Sequence, residues 1–353
     1  MRLVLLTFVL SSLSLALVFL WMAGGVQRPK VRFPLPVLLP DVPAAEDADA
    51  DSLTVVTWNI AWGYGRGSEG VGTARPAERF DETLARMGEV LRRLNPDVVL
   101  LQEVDFDSAR SHHRDQAEAL ARAAGLPYVA KAVSWEAGYV PFPYWPPEDH
   151  FGAMLSGGAI LSRYPIESHS VETVDKPAVN PWWYNLFYLF RYHQQAFLQT
   201  PLGKVMVMNI HAEAFDREAR VAHARRIAEV LSDSLLPESV VGGDLNTVLP
   251  EATVKSGYPD EPETSHVDDP TLGFLRSVNG LVDTVQGDAY VEQESTFFTF
   301  PSDAPNRKLD YLLCGAGLDA ERVWVPRELA DELSDHLPVV ARFRAVGRPT
   351  RGR

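Results

Sequence analysis

The sequence predicts an α/β domain in which mixed β-sheets pack together and are covered by helices. Helix and strand patterns are interspersed along the whole chain, and several predicted strands follow one another without an intervening helix. That arrangement excludes a purely alternating, doubly wound fold. Some 300 residues follow the first 50, which is enough for one large domain or two small ones.

The predicted elements rest on hydrophobic periodicity and on residues that end helices. Leu53–Ile60 is rich in β-branched residues and predicts a strand, and Ala77–Leu94 has the apolar spacing of a helix that Asn95-Pro96 terminates. Two more helices are predicted at Asp115–Ala124 and Arg217–Leu235. The other predicted strands are Asp97–Gln102, Ala159–Leu161, Gln195–Thr200, Lys204–Ile210, Ser239–Val241, Leu309–Leu313 and Pro338–Phe343.

Residues 1–25 form an apolar segment that predicts a membrane anchor. No charged residue occurs from Leu3 to Ala23, and 21 residues span about 31 Å as a helix, which matches a bilayer core of ~30 Å. The apolar region of a cleaved signal peptide is shorter, at about 7–15 residues, so we favour an anchor. The small residues Ala23-Gly24-Gly25 leave a cleaved signal and a secreted protein as the alternative.

A linker is predicted over residues 26–52, because its prolines stiffen the chain and its Ala/Asp/Glu run cannot form a core. Basic residues at its start, Arg28, Lys30 and Arg32, favour the cytoplasm for this side of the anchor, whereas an extreme N-terminal position favours export. We expect export, which places the domain at 53–345 outside the cytoplasm, followed by a basic tail at 346–353.

The composition weighs against some functions. The formal net charge of −14 lacks the basic bias by which sequence-independent nucleic-acid binders gain affinity, although acidity also serves solubility. Cys314 is the single cysteine, which excludes an intrachain disulfide and a cysteine metal cluster. It ends an apolar run, so we expect a buried, inert thiol.

Polar residues stand at the ends of the predicted strands, where one edge of a sheet can bring them together. They are Asn59, Glu103, His211, Asp244, Asn246, Asp310, Asp335 and His336. Each alone is explained as a turn residue, a solvated carboxylate or a structural histidine. Together they form an oxygen-rich set with little positive charge, which suits the hard cations Mg²⁺, Mn²⁺ or Ca²⁺.

Seven stretches resemble, in order and spacing, motifs of the endonuclease/exonuclease/phosphatase superfamily, which has the deoxyribonuclease-like fold. They are Thr57-Trp58-Asn59, Leu101-Gln102-Glu103-Val104, Gly158 to Pro165, Asn209-Ile210-His211, Gly243-Asp244-Leu245-Asn246, Leu309-Asp310-Tyr311 and Ser334-Asp335-His336. The resemblance extends from about Leu53 to Phe343. It implies a four-layer α/β sandwich, with two mixed β-sheets face to face and helices on the outside.

The resemblance also implies a divalent-metal-dependent phosphoesterase and assigns its residues. Asn59 and Glu103 would bind the metal, with Mg²⁺ expected and Mn²⁺ or Ca²⁺ as alternatives, and Asp335 would join the polar metal shell. Phosphoryl transfer agrees with this assignment, because it needs an in-line nucleophile and compensation of charge on the phosphate oxygens.

The catalytic groups follow from the same resemblance. Asp244 and Asn246 would position or deprotonate the attacking water. Asp310 would hold His336, and His211 would approach the phosphate from the other side, each histidine donating to phosphate when protonated.

The sequence departs from the family pattern in places that concern the substrate. The tyrosine that abasic-site endonucleases place near the phosphate has no match, and Tyr164 is interpreted as structural. His223 stands where the family often has glutamine. Arg307 and Lys308, just before Asp310, either face a substrate phosphate or are solvated at the surface.

Two aromatic segments, Trp135–Phe151 and Pro181–Tyr192, are candidates for substrate contact. They either form a minor core, stack on unpaired bases, or contact a bilayer. We favour a bilayer, and we expect Trp182 and Trp183, with Phe187, at an exposed rim beside the active site. The favoured substrate is a phosphodiester or phosphomonoester in a lipid head group.

Two alternatives remain. A secreted or membrane-tethered nuclease would use the same metal chemistry on nucleic acid. A catalytically inactive binding module is the alternative of another class, and the presence of every metal and catalytic position weighs against it. No obligate protein partner is evident from the sequence.

Overall fold

The computed structural model describes residues 2–23, 28–29, 33–43, 51–65, 75–285 and 287–347. The acidic run at 44–50, most of the basic tail, and Gly24 and Gly25 of the alternative cleavage site lie outside the described residues.

The described chain contains helices and strands in mixed order. Its α-helices are α1 (Arg2–Ala23), α2 (Ala77–Leu94), α3 (Gln116–Ala124), α4 (Trp182–Asn185), α5 (Arg217–Ser234), α6 (Thr271–Arg276), α7 (Gly287–Glu292) and α8 (Arg327–Ala330). Its strands are β1 (Val37–Leu38), β2 (Ser52–Asn59), β3 (Val98–Asp105), β4 (Tyr128–Val140), β5 (Gly152–Ser162), β6 (Ile166–Thr173), β7 (Tyr192–Thr200), β8 (Gly203–His211), β9 (Ser239–Asp244), β10 (Leu281–Asp283), β11 (Asp310–Gly315), β12 (Leu318–Trp324) and β13 (Val339–Ala345).

The strands form two mixed sheets. The first sheet has the order β1-β4-β5-β3-β2-β13-β12, and the second has the order β10-β11-β9-β8-β7-β6. Each sheet contains one parallel pair, β2 with β3 and β8 with β9, among antiparallel neighbours. The two parallel pairs carry four of the predicted site residues, Asn59, Glu103, His211 and Asp244.

Four layers result from the way these elements bury their apolar faces. The sheets pack face to face through a core that includes Val55, Leu100 and Val207. α2 and α3 cover the outer face of the first sheet, and α5 and α6 cover that of the second. The predicted four-layer α/β sandwich is confirmed.

Local sequence explains where the main helices begin and end. α2 ends at Asn95, whose left-handed conformation (φ 45°) stops the helix directly before Pro96. Asp115 and Asp216 cap α3 and α5, each accepting a hydrogen bond from the backbone N–H three residues later.

The structure adds strands that the sequence did not predict, and β1 is the most informative. Val37 pairs with Val129 of β4, and Leu39 and Val42 are buried against the same sheet. The domain therefore begins before the predicted boundary at residue 53, inside the predicted linker of 26–52. Two residues are too few for any periodicity to show.

α1 is the apolar N-terminal segment. Its Val4–Trp21 window has a mean hydropathy of 2.4 and is not buried against the rest of the chain. It is the one helix, within the described residues, that is long and apolar enough to cross a membrane, a test that a signal sequence also passes. Phe19 makes an edge-to-face contact with Tyr139 of β4 at 5.9 Å between ring centroids.

Candidate active site

The predicted site residues come together at one rim of the sandwich. A cavity of about 250 Å³ opens there. Six of the eight predicted residues line it, namely Glu103, His211, Asp244, Asn246, Asp335 and His336. Asn59 and Asp310 are buried behind this surface and are hydrogen-bonded to it.

Strand register explains the convergence. In the second sheet His211 is the partner of Asp244 across the parallel pair, and Asp244 is the partner of Asp310 across the antiparallel one. In the first sheet Asn59 is the partner of Gln102, the residue before Glu103. Gln102 donates to Asn209 Oδ1 at 2.6 Å, which ties the two sheets together beneath the cavity.

The backbone is unusual where it presents these side chains. The pairing of β3 with β5 shifts register between Leu101 and Val104, and Glu103 in this bulge has a φ of 55°. A bulge re-aims a side chain, and here it turns Glu103 into the cavity. Gly243 (φ 141°) precedes Asp244, and a Cβ there would lie 1.9 Å from Ile210 O, so only glycine fits.

Asn59 holds two of the carboxylates. Its Nδ2 donates to Glu103 Oε1 at 3.2 Å and to Asp244 Oδ2 at 3.1 Å, while its Oδ1 accepts from Ala61 N at 3.0 Å. The Ala61 N–H fixes this orientation, because only the amide oxygen can accept it. The amide nitrogen therefore faces the carboxylates, and the predicted ligand role of Asn59 needs the oxygen's second lone pair or a rotated amide.

The carboxylates are crowded enough to favour a cation. Burial and the neighbouring Asp335 carboxylate raise the pKa of Glu103 to about 7. Burial raises the pKa of Asp244 to about 6, although His336 opposes the shift. Buried like charges are stabilised by a hard divalent cation, and the oxygen donors here are the type that Mg²⁺ prefers. The residues present therefore fit a divalent metal.

Asp244, Asp310 and His336 form the tightest cluster of possible ligands, with one donor atom from each lying within 4.8 Å of the others. His336 Nδ1 lies 2.8 Å from Asp310 Oδ2, and its Nε2 lies 3.8 Å from Asp244 Oδ2. Burial lowers the pKa of His336, but Asp310 and Asp244 outweigh it and hold the pKa well above its usual value. Because Asp310 already holds one ring nitrogen of His336, we keep the Asp310–His336 pair as a predicted catalytic unit and Glu103 and Asp335 as predicted metal ligands.

His211 has a different environment, created by a residue that the sequence did not single out. Arg191 is buried and contacts His211 Nε2 through its guanidinium. Burial, with Arg191 as the next cause, holds the pKa of His211 well below its usual value. Because the guanidinium can only donate, Nε2 accepts in this contact, and with the lowered pKa this favours a neutral His211. The resemblance implied a histidine that donates to phosphate when protonated.

Arg191 is fixed from its other side. Its Nε donates to Glu213 Oε2 at 3.2 Å, and Tyr188 donates to Glu213 Oε1 at 2.8 Å. Arg191 stands directly before β7, and Tyr192, the first residue of β7, is the register partner of His211 in β8. The sequence could have indicated the contact only if the pairing of β7 with β8 had been known, and no motif predicts that pairing.

The structure also shows the surroundings of the four residues that concern the substrate. Tyr164 is structural, since its hydroxyl donates to Asp97 at 3.2 Å. His223 is buried, and neither ring nitrogen has a hydrogen-bond partner in the described chain. Arg307 and Lys308 are also buried, so neither is solvated at the surface; Arg307 lines the cavity.

The aromatic segments serve two roles. Trp135 and Phe151 are buried in a minor core, together with Tyr64 and Phe80, and Phe187 packs against that core rather than standing at the rim as predicted. Trp182 is 70% exposed, as predicted, and Trp145 of the first segment is 78% exposed.

Comparison with known proteins identifies the family. The model of the endonuclease/exonuclease/phosphatase family matches residues 56–336. The chain belongs to this family. A search of curated proteins gives no match.

Solved structures share the fold. A family protein from Beutenbergia cavernae is 23% identical over 86% of this chain and 74% of its own, with a TM-score of 0.56. A conserved protein of unknown function from Enterococcus faecalis is 13% identical over 83% and 100%, with a TM-score of 0.54. A family protein from Bacteroides vulgatus is 16% identical over 83% and 99%, with a TM-score of 0.52.

Membership of the endonuclease/exonuclease/phosphatase family establishes the reaction class. The chain is a hydrolase of phosphoester bonds that depends on a divalent metal. The cavity described above lies at the rim where the family motifs meet, and it contains carboxylates and histidines of the kind that this chemistry needs.

Proposed function

We propose that the protein uses Mg²⁺ to hydrolyse a phosphodiester or phosphomonoester in a lipid head group at a membrane surface. The observation that carries the proposal is the cavity itself, in which crowded carboxylates, the Asp310–His336 pair and the buried Arg191 face one another. Such a site accepts a cation together with a phosphate anion.

In this proposal Glu103 and Asp335 hold the metal, with Asn59 as the third predicted ligand. The ion supplies compensation for charge on the phosphate and on the leaving oxygen. Asp244 orients the attacking water, and Asn246, whose Nδ2 donates to Asp244 Oδ2 at 3.2 Å, keeps that carboxylate in place. A carboxylate so placed can also accept the proton of the water.

The two histidines then act differently. His336, held by Asp310, donates from Nε2 to a phosphate oxygen. Arg191 presents a permanent positive charge beside His211, so it is Arg191 that attracts the phosphate on this side while neutral His211 orients it. This division requires no change in the protonation of His211.

The membrane part of the proposal is supported by where the exposed aromatic side chains lie. We define the aromatic rim as Phe142, Tyr144, Trp145, Trp182 and Trp183, all of which are exposed. Tyr188, which lines the cavity, follows Trp183 by five residues and closely contacts Tyr184, with ring centroids 5.4 Å apart. Tryptophan and tyrosine favour the interface between water and lipid.

The N-terminal segment reaches the same region. Phe19 of α1 contacts Tyr139, three residues before Phe142, and Arg28 pairs with Asp175 at 2.7 Å, just before the segment that carries Trp182. An anchor that ends here would hold the cavity mouth beside the bilayer. We therefore propose a membrane-anchored enzyme whose domain lies outside the cytoplasm.

Replacing Trp182 and Trp183 with alanine is expected to weaken liposome binding of the chain that lacks residues 1–25. Hydrolysis of a small soluble phosphodiester is expected to stay nearly unchanged, because both side chains lie outside the cavity. Liposome co-sedimentation and the melting temperature are the measurements. Val254→Ala and Val291→Ala, at exposed apolar positions outside the aromatic rim, are the controls.

A minor-core role for the two tryptophans would give a different result. It predicts a loss of several kcal/mol in the free energy of unfolding, as for other large-to-small core substitutions, with liposome affinity unchanged. A lower melting temperature with unchanged binding would therefore contradict the membrane contact.

The substrate class is tested by hydrolysis of phospholipid vesicles, soluble inositol phosphates and DNA, each with Mg²⁺ and with excess chelator. Phospholipid as the preferred substrate supports the proposal. Preference for DNA would replace it with the nuclease alternative, and no hydrolysis of any substrate would favour a binding module.

A further inference from the structure

The cavity has a second end, built by two loops that contribute none of the family motifs. We define the loop subsite as Glu261, Thr264, His266, Phe300 and Arg307, all of which line the cavity. The opposite wall is formed by Trp62, Tyr188, Leu189 and Arg191. His336 contacts Phe300 of the loop subsite, and His211 contacts Arg191 of the other wall, so the predicted catalytic groups lie between the two. A phosphoester bound there would extend part of its substituents into the loop subsite.

Arg307 supports this subsite but does not make it an anion site. It is 1% exposed, and its guanidinium donates to Asp260 and to Glu261, each at 2.8 Å. The same group lies 4.4 Å from the ring centroid of Tyr258 and 4.6 Å from that of Phe300. Two carboxylates exceed its single positive charge, so the subsite repels a second phosphate.

His266 brings an imidazole to the wall of the subsite. It is 5% exposed, and its Nδ1, like Arg307 Nε, is enclosed by protein and has no hydrogen-bond partner among the residues that the structure describes. Nε2 is therefore the ring nitrogen left for a ligand. Burial, followed by the charge of Arg220, lowers the pKa of His266 to about 4, so the ring is neutral and its Nε2 donates or accepts according to the tautomer.

Two further polar groups complete the set. Thr264 donates to Glu261 Oε2 at 3.2 Å, which leaves other lone pairs of that carboxylate open to the cavity. A carboxylate, a hydroxyl and a neutral imidazole therefore converge on one small space. Hydroxyl groups satisfy all three, because each hydroxyl both donates and accepts.

Aromatic faces enclose the polar groups. Phe300 lies 4.7 Å from the His336 ring, between centroids, and so connects the subsite directly to the catalytic centre. Phe215 also lines the cavity although it is 81% exposed, which leaves its ring free to cover a ligand. Apolar walls with a few converging polar groups are typical of small-molecule sites.

We propose that the loop subsite binds an uncharged polyol, such as a glycerol or a hydroxylated ring, that is esterified to the phosphate. This inference rests on the proposed function, because it names the chemical class of the group next to the scissile phosphoester. An alkyl group would leave the imidazole and the remaining lone pairs of Glu261 without a partner, and a site built for hydroxyl groups rejects analogues that lack them.

The test compares polyol and alkyl esters of phosphate on the full chain with Mg²⁺. Glycerophosphoinositol is paired with dibutyl phosphate among diesters, and inositol phosphate with butyl phosphate among monoesters. The wild type is expected to prefer the polyol ester by about 10²-fold or more in kcat/KM. Glu261→Gln and Thr264→Val are expected to reduce that preference about tenfold, mainly through KM.

Asp260→Asn is the matched control. Asp260 pairs with the same guanidinium as Glu261 but does not line the cavity, so its removal is expected to leave the preference unchanged. Melting temperatures show whether either carboxylate variant has lost its fold. Thr264→Val leaves both ion pairs of Arg307 intact. If Glu261→Gln is unstable, Thr264→Val alone shows whether the loop subsite determines the preference for the polyol ester.

The outcomes are distinct. Hydrolysis of polyol and alkyl esters with equal kcat/KM, or a preference that Thr264→Val leaves unchanged, would overturn the loop subsite while the phosphoesterase activity stands. A wild type that hydrolyses none of the four esters with any divalent metal would overturn the proposed function and this inference with it.

Discussion

Glu103→Gln is expected to reduce hydrolysis by about 10³-fold or more while the protein stays folded. Glu103 lines the cavity and lies 3.5 Å from His211, and it is the predicted anionic ligand nearest Asn59. A metal ion contributes several kcal/mol of charge stabilisation in the transition state, and each 1.36 kcal/mol is tenfold in rate. Removing the ligand charge weakens the hold on that ion.

The fold is expected to tolerate this change because the carboxylate is crowded. Glu103 is partly buried beside Asp335, and glutamine keeps the shape of the side chain without its charge. The melting temperature without metal should therefore be at least that of the wild type, and the increase on adding Mg²⁺ should be lost. Glu148→Gln, at an exposed position outside the cavity, is the control. Full activity of Glu103→Gln, or wild-type activity in excess chelator, would exclude this role.

His336→Ala is expected to reduce kcat by about 10²–10⁴-fold, the usual contribution of a general acid–base group. Asp310 holds the Nδ1 of this ring at 2.8 Å, so Asp310→Ala should lose much of the same catalysis. The double variant should be little worse than His336→Ala alone, because residues that act as a unit give non-additive losses. Single-turnover rates of all four proteins complete the cycle.

The surface offers a matched pair for this cycle. His113 and Asp107 make the same kind of contact, at 2.6 Å, but both side chains are largely exposed and neither lines the cavity. His113→Ala, Asp107→Ala and their combination are expected to leave kcat unchanged. Losses at Asp310 and His336 that multiply fully would show that the two do not act together.

The parts of the fold that could be predicted have strong local signals. α2 was predicted to the residue, since its apolar face repeats at helical spacing and Asn95-Pro96 ends it. The site residues were found because they follow buried strands, and parallel pairing brings such strand ends to one rim. Each of these residues lies in a short motif, so its residue type and position can be recognised from the sequence.

The parts that escaped prediction depend on long-range packing. β4 was not predicted because Trp135 and Tyr139 belong to an aromatic segment in which no clear strand pattern is visible. β1 was not predicted because it is a strand only through its pairing with β4. The lowered pKa of His211 depends on its burial and on Arg191, which is brought to it by the neighbouring strand. No spacing along the chain could reveal that contact.

Because β1 pairs with β4, the chain between α1 and the catalytic domain is short, which limits the distance between the domain and a membrane that holds α1. Thirteen residues separate Ala23, the end of α1, from Val37, the start of β1. Fully extended, they reach about 45 Å, and the Arg28–Asp175 ion pair shortens that reach. On a membrane-spanning α1 the cavity would therefore sample a thin shell above the bilayer, where lipid head groups are at high effective concentration. Substrate would then reach the cavity by lateral diffusion in the membrane rather than by encounters in solution.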